Sequence, residues 1–345
     1  MSIQHLIRTT IKALKPYSSA RDEFKGLKDN LIFLDANENP FENGVNRYPD
    51  PQQQRLKLLL SEMKNVQPEQ ILLGNGSDEV LDLLIRMFCE PNQDNIIILP
   101  PTYGMYEVLA DINAVKTIKV NLSASSFQPQ LSDILERANE YSKILFLCSP
   151  NNPTGNSFEA STIESLLRTF KGIVVIDEAY IDFSNKESWL SQLHNFPNLV
   201  ITQTLSKAYG MAGIRLGMCF ASTEIISTLN KIKAPYNINE LTQKKALEGL
   251  RKHSALKEQI ASILTERSTL AEALDHLPYV EKIFPTDANF IMAKVDDANQ
   301  RYQQLIEKGV VIRNRTSQPL CENCLRFTIG TNEENRRLVQ ILKTL

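Results

Sequence analysis

Short apolar runs alternate with amphipathic stretches between about residues 70 and 221. The strand-sized runs are Ile71–Leu73, Asn95–Leu99, Val115–Val120, Ile144–Cys148, Ile173–Ile176, Val200–Thr204 and Leu216–Phe220. Between several of them, apolar residues recur at helical spacing over Asp78–Cys89, Tyr103–Ile112 and Ile163–Phe170. Strands that alternate with helices in this way predict an α/β domain with a mostly parallel sheet sandwiched by helices. Ligands of such sheets bind outside the carboxyl ends of the strands.

The pattern changes after Pro235. Residues 240–276 contain no proline and a single glycine, so they are predicted to form one long helical stretch, which can be interrupted. Further strands are predicted at Val280–Phe284, Phe290–Lys294, Val310–Arg313 and Leu325–Ile329, and helices near Gln303–Lys308 and from about Glu333. This mixture predicts a smaller α+β domain. We therefore expect an N-terminal arm and part of the small domain over residues 1–45, a large domain over 46–240, and a small C-terminal domain over 241–345.

Length and charge narrow the possible functions. The chain has 345 residues, which suits two domains, and its 38 basic and 40 acidic residues give a net charge of −2. That balance provides no overall electrostatic attraction for nucleic acid or for an anionic membrane. No apolar run approaches the roughly 18 residues that a membrane span needs. We therefore expect partners that are small molecules or other protein chains.

The cysteines and the N-terminus indicate the compartment. Five cysteines are an odd number, and three of them lie in apolar surroundings, which fits a reducing cytoplasm. Cys321 and Cys324 form one CxxC, but no second ligand pair and no histidine lie nearby, so no metal site is predicted. The first 20 residues carry three cations and no acid, as transit peptides do. Their apolar residues lie near helical spacing, which favours an N-terminal arm or a short helix.

Lys207 stands alone among small and apolar residues just after the run Val200–Thr204. A lysine in such surroundings is desolvated, which lowers its pKa and frees the amine to attack a carbonyl. Ser206 and Arg215 flank it with a hydroxyl and a cation, the groups that bind a phosphate monoester. An ordinary solvated lysine in a loop at the end of a strand is the alternative.

Asp177 ends the apolar run Ile173–Ile176, and Tyr180 follows three residues later. A carboxylate inside an α/β cleft is costly unless a cationic or protonated group meets it, and a protonated pyridine nitrogen would do so. The alternative is an aspartate that caps a helix. The position of Asp177, about 30 residues before Lys207, favours the functional interpretation.

Three further segments follow predicted strands. Asn152 lies in a turn rich in proline and glycine, from which a rigid loop can direct its amide at a ligand oxygen. Gly76, Ser77 and Asp78 open a helix and offer free backbone N–H groups to an anion. Tyr103 supplies an aromatic ring that can stack on a ligand. Together these groups describe a ring with a basic nitrogen, a phenolic oxygen, an aldehyde and a phosphate, which is pyridoxal 5'-phosphate.

Several motifs carry a family resemblance. They are LDANENP at 34–40, RYPDP at 47–51, SPNNPTG at 149–155, DEAY at 177–180 and TLSKAYGMAGIRLG at 204–217. In this order they resemble the fold-type I, pyridoxal-phosphate-dependent aminotransferases, and more closely the histidinol-phosphate aminotransferase family. The similarity runs from LKPYSSAR at 14–21 to RFTIGT at 326–331. It implies a large domain with a mostly parallel central sheet and a smaller α+β domain.

The resemblance assigns cofactor roles to residues of this chain. It implies that Lys207 holds the cofactor as a Schiff base and shuttles the substrate proton, and that Asp177 keeps the pyridine nitrogen protonated. Asn152 and Tyr180 would hydrogen-bond the phenolic oxygen, and Tyr103 would stack on the ring. The residues implied to seat the phosphate are Gly76, Ser77, Asp78, Thr204, Ser206 and Arg215. Tyr48 would reach the phosphate bound by the other subunit, which requires a homodimer.

Arginines in predicted strands indicate the substrate. Arg313 and Arg326 lie on apolar runs, where a single arginine more often extends its charge to solvent or forms a salt bridge. Two arginines that lie thirteen residues apart and match the family pattern favour the capture of an anion by bidentate forks. The resemblance implies that Arg326 binds the α-carboxylate of glutamate. It also implies that Arg313 and Tyr17 lie near the phosphate of an amino-alcohol phosphate. Arg315 and the surrounding segment 314–323 match no pattern that predicts a role.

The expected activity is a reversible ping-pong transamination. L-Histidinol phosphate and 2-oxoglutarate would give imidazole acetol phosphate and L-glutamate, a step of histidine biosynthesis in the cytoplasm. Two alternatives keep the fold: an aminotransferase for aromatic amino acids, and a threonine-phosphate decarboxylase, which is a lyase. A regulator with an aminotransferase-like domain is disfavoured, because the chain leaves no room for an added DNA-binding module.

Overall fold

The computed structural model describes residues 3–17 and 32–345. Eleven strands within these residues form two sheets. The strands are β1 (Ile71–Asn75), β2 (Asn95–Ile98), β3 (Lys116–Lys119), β4 (Ser142–Cys148), β5 (Ile173–Asp177), β6 (Leu199–Thr204), β7 (Leu216–Ala221), β8 (Val280–Ile283), β9 (Phe290–Val295), β10 (Arg313–Asn314) and β11 (Cys324–Thr328). All seven strands predicted between residues 70 and 221 are present, with ends that differ by one or two residues.

Helices connect and cover these strands. They are α1 (Thr9–Ala13), α2 (Gln54–Lys64), α3 (Ser77–Phe88), α4 (Met105–Ile112), α5 (Leu131–Arg137), α6 (Ala160–Thr169), α7 (Thr223–Ile232), α8 (Glu240–Leu250), α9 (His253–Asp275), α10 (Ala298–Glu307) and α11 (Asn332–Leu342). The long helical stretch after residue 240 is indeed interrupted, between Leu250 and His253. Within the described residues, no helix is both long and apolar enough to cross a membrane.

The first sheet has seven strands in the order β1-β7-β6-β5-β4-β2-β3. Strands β2 to β6 pair in parallel, whereas β7 runs antiparallel to both of its neighbours. Parallel pairing brings the carboxyl ends of β4, β5 and β6 to one edge, as the strand–helix alternation predicts. Separate apolar clusters pack on the two faces of this sheet, which confirms a mostly parallel sheet between helices.

The second sheet has four antiparallel strands in the order β10-β11-β9-β8. Helices α9, α10 and α11 cover one face of it, in a cluster centred on residues such as Phe327 and Leu274. On the other face, Met292, Cys321 and Cys324 join the main cluster of the large sheet. The two sheets therefore pack together, and the cavity described below lies between them.

The strand predicted at Val310–Arg313 is displaced. In the structure only Arg313–Asn314 forms a strand, and Arg313 pairs with Arg326. Gly309 ends the preceding helix with a φ of 79°, and the extended residues that follow have no partner strand, so Val311 remains 80% exposed. The strand therefore begins where the chain reaches β11.

The N-terminal arm is described in part. Ile3, Leu6 and Ile7 pack in the cluster that contains α3 and α7, and Arg8 forms an ion pair with Glu90 at 3.1 Å. Residues 1–2 and 18–31 lie outside the described residues, so the last residues of the motif at 14–21 do too. The predicted domain limits stay a prediction.

Candidate active site

One cavity of about 560 Å³ opens at the carboxyl ends of β4, β5 and β6, where it also meets β10 and β11. It brings together most of the residues singled out in the sequence. These are Ser77, Asp78, Tyr103, Asn152, Asp177, Tyr180, Thr204, Ser206, Lys207, Arg215, Arg313 and Arg326. Since these side chains come from segments spread over some 250 residues, the fold collects them at one place, as the rule for parallel sheets predicts.

Asp177 is the last residue of β5 and is fully buried. Its Oδ2 accepts a hydrogen bond from the Tyr106 hydroxyl at 2.8 Å, and its Oδ1 accepts one from the Ala179 N–H at 3.2 Å. Burial raises the pKa of this carboxyl, while the hydrogen bonds from Tyr106 and Ala179 act against the rise. The structure thus places a buried acid in the cavity wall with fixed orientation.

Tyr106 was missed by the sequence analysis. It lies on α4, fully buried, with its ring stacked on Phe146 at 4.7 Å and edge-on to Tyr103 at 5.5 Å. Only its position three residues after Tyr103, on the helix face that meets the sheet, could have indicated it. The apolar periodicity of α4 made the residue indistinguishable from a core aromatic.

Asn152 and Tyr180 flank Asp177. The loop that carries Asn152 is fixed by buried Asn151, whose side-chain amide donates to the Pro101 carbonyl at 2.9 Å and to the Thr154 hydroxyl at 2.7 Å. The Asn152 amide oxygen accepts a hydrogen bond from Arg326. Tyr180 is buried and packs edge-on against Phe290 at 5.2 Å, and burial raises the pKa of its phenol. Both side chains are therefore held in place at the cavity wall.

Lys207 lies in the loop after β6 and lines the cavity. Its Nζ lies 5.6 Å from the centroid of the Tyr180 ring. Partial burial lowers the pKa of the amine, and the positive charge of Arg326 lowers it further, against the attraction of Asp177. A lysine amine in these surroundings loses its proton more readily than an ordinary lysine, which makes it a better nucleophile.

The N-terminus of α3 forms a compact anion site with Arg215. Gly76 caps the helix with a φ of 84°, and a Cβ at this position would lie 2.7 Å from Arg215 Nη2. Arg215 also approaches the Ser206 hydroxyl at 3.5 Å, and the Ser206 N–H donates to Thr204 Oγ1 at 3.1 Å. The 12-residue helix, the guanidinium and the hydroxyls thus converge on one spot.

The arginines on the small sheet face the same cavity. Arg313 and Arg326 are paired across β10 and β11, and Arg315 lines the cavity beside them. Arg326 lies 5.0 Å from the Phe290 ring centroid. Burial lowers the pKa of Arg326 to about 10, and the charge of Arg315 contributes to the shift. Arg315 is a second residue that sequence reasoning missed, because no periodicity marks the segment around it.

Tyr48 and Tyr17 lie outside the cavity. Tyr48 is 51% exposed, and its ring stacks on Tyr236 with centroids 4.2 Å apart. Tyr17 is 73% exposed at the end of the first described segment. Their predicted roles stay predictions. In the described part of the chain, no three His, Cys, Asp or Glu side chains group in a way that could hold a metal ion.

Residues 33–342 match the family described as aminotransferase class I and II. A histidinol-phosphate aminotransferase from Flavobacterium johnsoniae is 64% identical over 344 residues, which cover 99% of this chain and 98% of that protein. A relative of the same description from Flavobacterium psychrophilum is 60% identical, with 100% and 99% covered.

A solved structure has the same fold. The histidinol-phosphate aminotransferase from Clostridium acetobutylicum superposes with a TM-score of 0.80 at 25% identity, covering 87% of this chain and 90% of that chain. The large, mostly parallel sheet and the smaller sheet described above are therefore those of a known aminotransferase fold.

Proposed function

The chain belongs to the class I and II aminotransferase family, and on this premise we propose that it exchanges an amino group between L-histidinol phosphate and 2-oxoglutarate. The products are imidazole acetol phosphate and L-glutamate, and the step belongs to histidine biosynthesis. One observation carries the proposal: Lys207, Asp177 and the arginines of the small sheet share one cavity. The full-length relatives of the same description support the choice of substrate.

The donor set of the cavity fits pyridoxal 5'-phosphate. A buried carboxylate, an amine and an anion site occupy different parts of one wall, and a Cβ on Gly76 would fill the space beside Arg215. When bound, this cofactor withdraws electrons from the α-carbon of the attached amine, so that the α-proton can leave. The protein's part is to bind, to orient and to move that proton.

The predicted cofactor residues that line the cavity have positions that support their proposed tasks. Asp177, held by Tyr106, would hold the ring nitrogen in its protonated form, and Asn152 and Tyr180 would offer an amide and a hydroxyl to the phenolic oxygen. Tyr103 offers its ring as a stacking surface, and its hydroxyl donates to Asp78 at 3.0 Å. The residues that would hold the phosphate are Gly76, Ser77, Asp78, Thr204, Ser206 and Arg215.

Lys207 carries the proton between two carbon atoms. Its lowered pKa leaves a larger share of the amine unprotonated at neutral pH, so that the nitrogen can accept the proton from the substrate α-carbon. The loop after β6 holds Lys207 with its Nζ 5.6 Å from the Tyr180 ring centroid, so the amine that accepts the proton would also be the one that returns it. This geometry suits catalysis by one base that acts in both half-reactions.

Arg313 and Arg326, which line the cavity, would bind the substrate anion, and the predicted contact of Tyr17, which lies outside this cavity, stays a prediction. The phosphate of histidinol phosphate and the carboxylate of glutamate would use this site in turn, because ping-pong chemistry binds one substrate at a time. Arg326 also donates to the Asn152 amide oxygen, so the substrate site and the cofactor site share a hydrogen bond.

We further propose a homodimer in the cytoplasm, in which Tyr48 contacts the phosphate bound by the partner subunit. Support comes from large apolar side chains exposed along the segment 32–48 and near it. They are Ile32, Leu34, Phe41, Val45, Tyr48 and Leu241. A patch of this kind typically marks a protein interface. The division into a large domain over 46–240 and a small domain over 241–345, completed by the N-terminal arm, is part of the same proposal.

A single-turnover experiment tests the activity. The cofactor-loaded enzyme is mixed with L-histidinol phosphate, phenylalanine, tyrosine or threonine phosphate without any keto acid, and the cofactor absorbance is followed. We expect histidinol phosphate to react fastest and to stop at one equivalent per site, until 2-oxoglutarate restores turnover and glutamate appears. Faster reaction with an aromatic amino acid would make the substrate assignment wrong. Continued release of CO₂ from threonine phosphate would identify a lyase.

A further inference from the structure

Arg315 is fixed in the cavity wall by its backbone. Its N–H donates to the Cys324 carbonyl at 2.8 Å, which extends the pairing between β10 and β11 by one residue. Its carbonyl accepts from the Gln318 N–H at 2.9 Å, so the chain turns directly after it. The side chain therefore starts from a defined point beside Arg313 and Arg326 and lines the same cavity.

The three guanidinium groups lack anionic partners. Among the described residues, Arg313, Arg315 and Arg326 form no ion pair, and the buried Nε atoms of Arg315 and Arg326 have no hydrogen-bond partner. Burial and the neighbouring Arg313 lower the pKa of Arg315. The three cations repel each other, and Arg315 and Arg326 are also partly desolvated, whereas Arg313 is exposed, so an anion that enters the cavity lowers both costs.

The acids of the cavity are engaged elsewhere. Asp78 accepts a hydrogen bond from the Tyr103 hydroxyl at 3.0 Å, and Asp177 accepts one from the Tyr106 hydroxyl at 2.8 Å. Neither acid is among the charges that shift the pKa of Arg315 or Arg326. No acid that the structure describes in the cavity lining is therefore paired with the arginines, which leaves their guanidinium groups available to an anionic substrate.

We propose that Arg315 is a specificity-determining residue, which together with Arg313 and Arg326 selects a phosphate dianion over a carboxylate. The inference rests on the proposed function. A phosphate monoester carries close to two negative charges at neutral pH and presents three acceptor oxygens, which arginine forks bind in pairs. A carboxylate at the same place carries one charge and two oxygens, which one guanidinium satisfies. Arg315 therefore serves the half-reaction of the phosphate-bearing substrate.

The test replaces Arg315 by glutamine in the cofactor-loaded enzyme. We expect KM for L-histidinol phosphate to rise about tenfold to a hundredfold with little change in kcat, since a charge-assisted hydrogen bond is lost. KM for 2-oxoglutarate should stay within about twofold, and Arg315→Lys should fall between the two enzymes. Arg336→Gln on α11 removes the same charge outside the cavity and should leave both constants unchanged.

Direct binding supplies a second measurement. Titration calorimetry with inorganic phosphate should show weaker binding to Arg315→Gln than to the wild-type enzyme or to Arg336→Gln. A wild-type enzyme that does not react with histidinol phosphate would overturn the proposed function. A reactive wild type whose Arg315→Gln variant keeps its KM and its phosphate affinity would overturn the role of Arg315 alone. An equal rise in both KM values would show that Arg315 does not discriminate between phosphate and carboxylate.

Discussion

The two walls of the cavity differ in how their charged groups are balanced. On the large sheet, Asp177 receives hydrogen bonds from Tyr106 and Ala179, and Asp78 receives one from Tyr103. On the small sheet, Arg313 and Arg315 have no side-chain partner within the part of the chain that the structure describes. The acids of the first wall are met by hydrogen-bond donors of the protein, whereas the arginines of the second wall have no anionic partner among the described residues.

This difference matches two tasks. A cofactor that stays in one orientation through the whole reaction is best held by groups that are already fixed before it binds. Substrates that exchange in every cycle need donors that no protein group occupies, since such a group would have to be displaced each time.

The largest expected effect comes from Lys207→Ala. The variant loses the only lysine that lines the cavity among the described residues, so turnover should fall at least about a thousandfold. The visible absorbance that depends on the lysine should disappear from the loaded enzyme. Lys171→Ala, an exposed lysine after α6, serves as the control and should behave as wild type. Retained turnover in Lys207→Ala would contradict its catalytic role.

A smaller effect is expected for Tyr106→Phe, because the variant keeps the ring and removes only the hydrogen bond to Asp177. The carboxyl then loses one of the groups that hold down its pKa. The cofactor dissociation constant should rise about tenfold, as expected for one hydrogen bond to a charged group. Equilibrium dialysis of the cofactor measures this change directly.

A matched control separates positioning from general stability. The Tyr279 hydroxyl also donates a buried hydrogen bond, to the Leu342 carbonyl at 2.8 Å, but it lies just before β8, in the apolar cluster beside the small sheet and outside the cavity. Tyr279→Phe should lower the free energy of unfolding of the cofactor-free protein and leave cofactor affinity unchanged. If both variants weaken the cofactor equally, Tyr106 has no special part in holding Asp177.

Lys57 is a buried cation outside the cavity that forms no ion pair among the described residues, and it shows whether the lack of an anionic partner by itself indicates an anion site. It lies on α2, 7% exposed, and burial together with Lys233 lowers its pKa to about 7. Unlike arginine, a buried lysine can lose its proton and become neutral, so it does not need an anionic partner. Because the pKa is lower in the folded than in the unfolded state, the wild-type protein should gain stability as pH rises from about 7 to 10.5.

Lys57→Met removes this titration. The variant should be more stable than wild type at pH 7, by on the order of one to a few kcal/mol, and the difference should shrink towards pH 10. Thermal unfolding at several pH values measures it, with exposed Lys171→Met as the control. A difference that does not depend on pH would mean that Lys57 is not the titrating group. Turnover should be unaffected.

The local pattern of the chain predicted most of the fold. Alternating apolar runs marked every strand of the large sheet, because a strand buried on both faces needs a continuous apolar segment. The pattern misplaced β10, since Val310 and Val311 look like a strand but have no partner there. Helices α2, α5 and α7 were not among the predicted elements, although the structure requires them to cover the sheet.

The sequence predicted the site residues that belong to short motifs at the ends of strands. Lys207, Asp177 and Asn152 stand at the ends of apolar runs, and the topology of a parallel sheet brings such ends together. Tyr106 and Arg315 escaped notice for opposite reasons. Tyr106 resembles any core aromatic on an amphipathic helix, and Arg315 lies in an irregular segment without periodicity.

The sequence by itself determined the strands of the large sheet, the family, and the chemical groups available for the reaction, because these depend on residue types and local spacing. Only the tertiary structure decided which of these groups are paired. A carboxylate that accepts a hydrogen bond from a tyrosine, and a guanidinium that has no partner among the described residues, both depend on contacts between residues far apart in the chain. The hydrogen bond from Tyr106 to Asp177 spans 71 positions, and no local pattern encodes it.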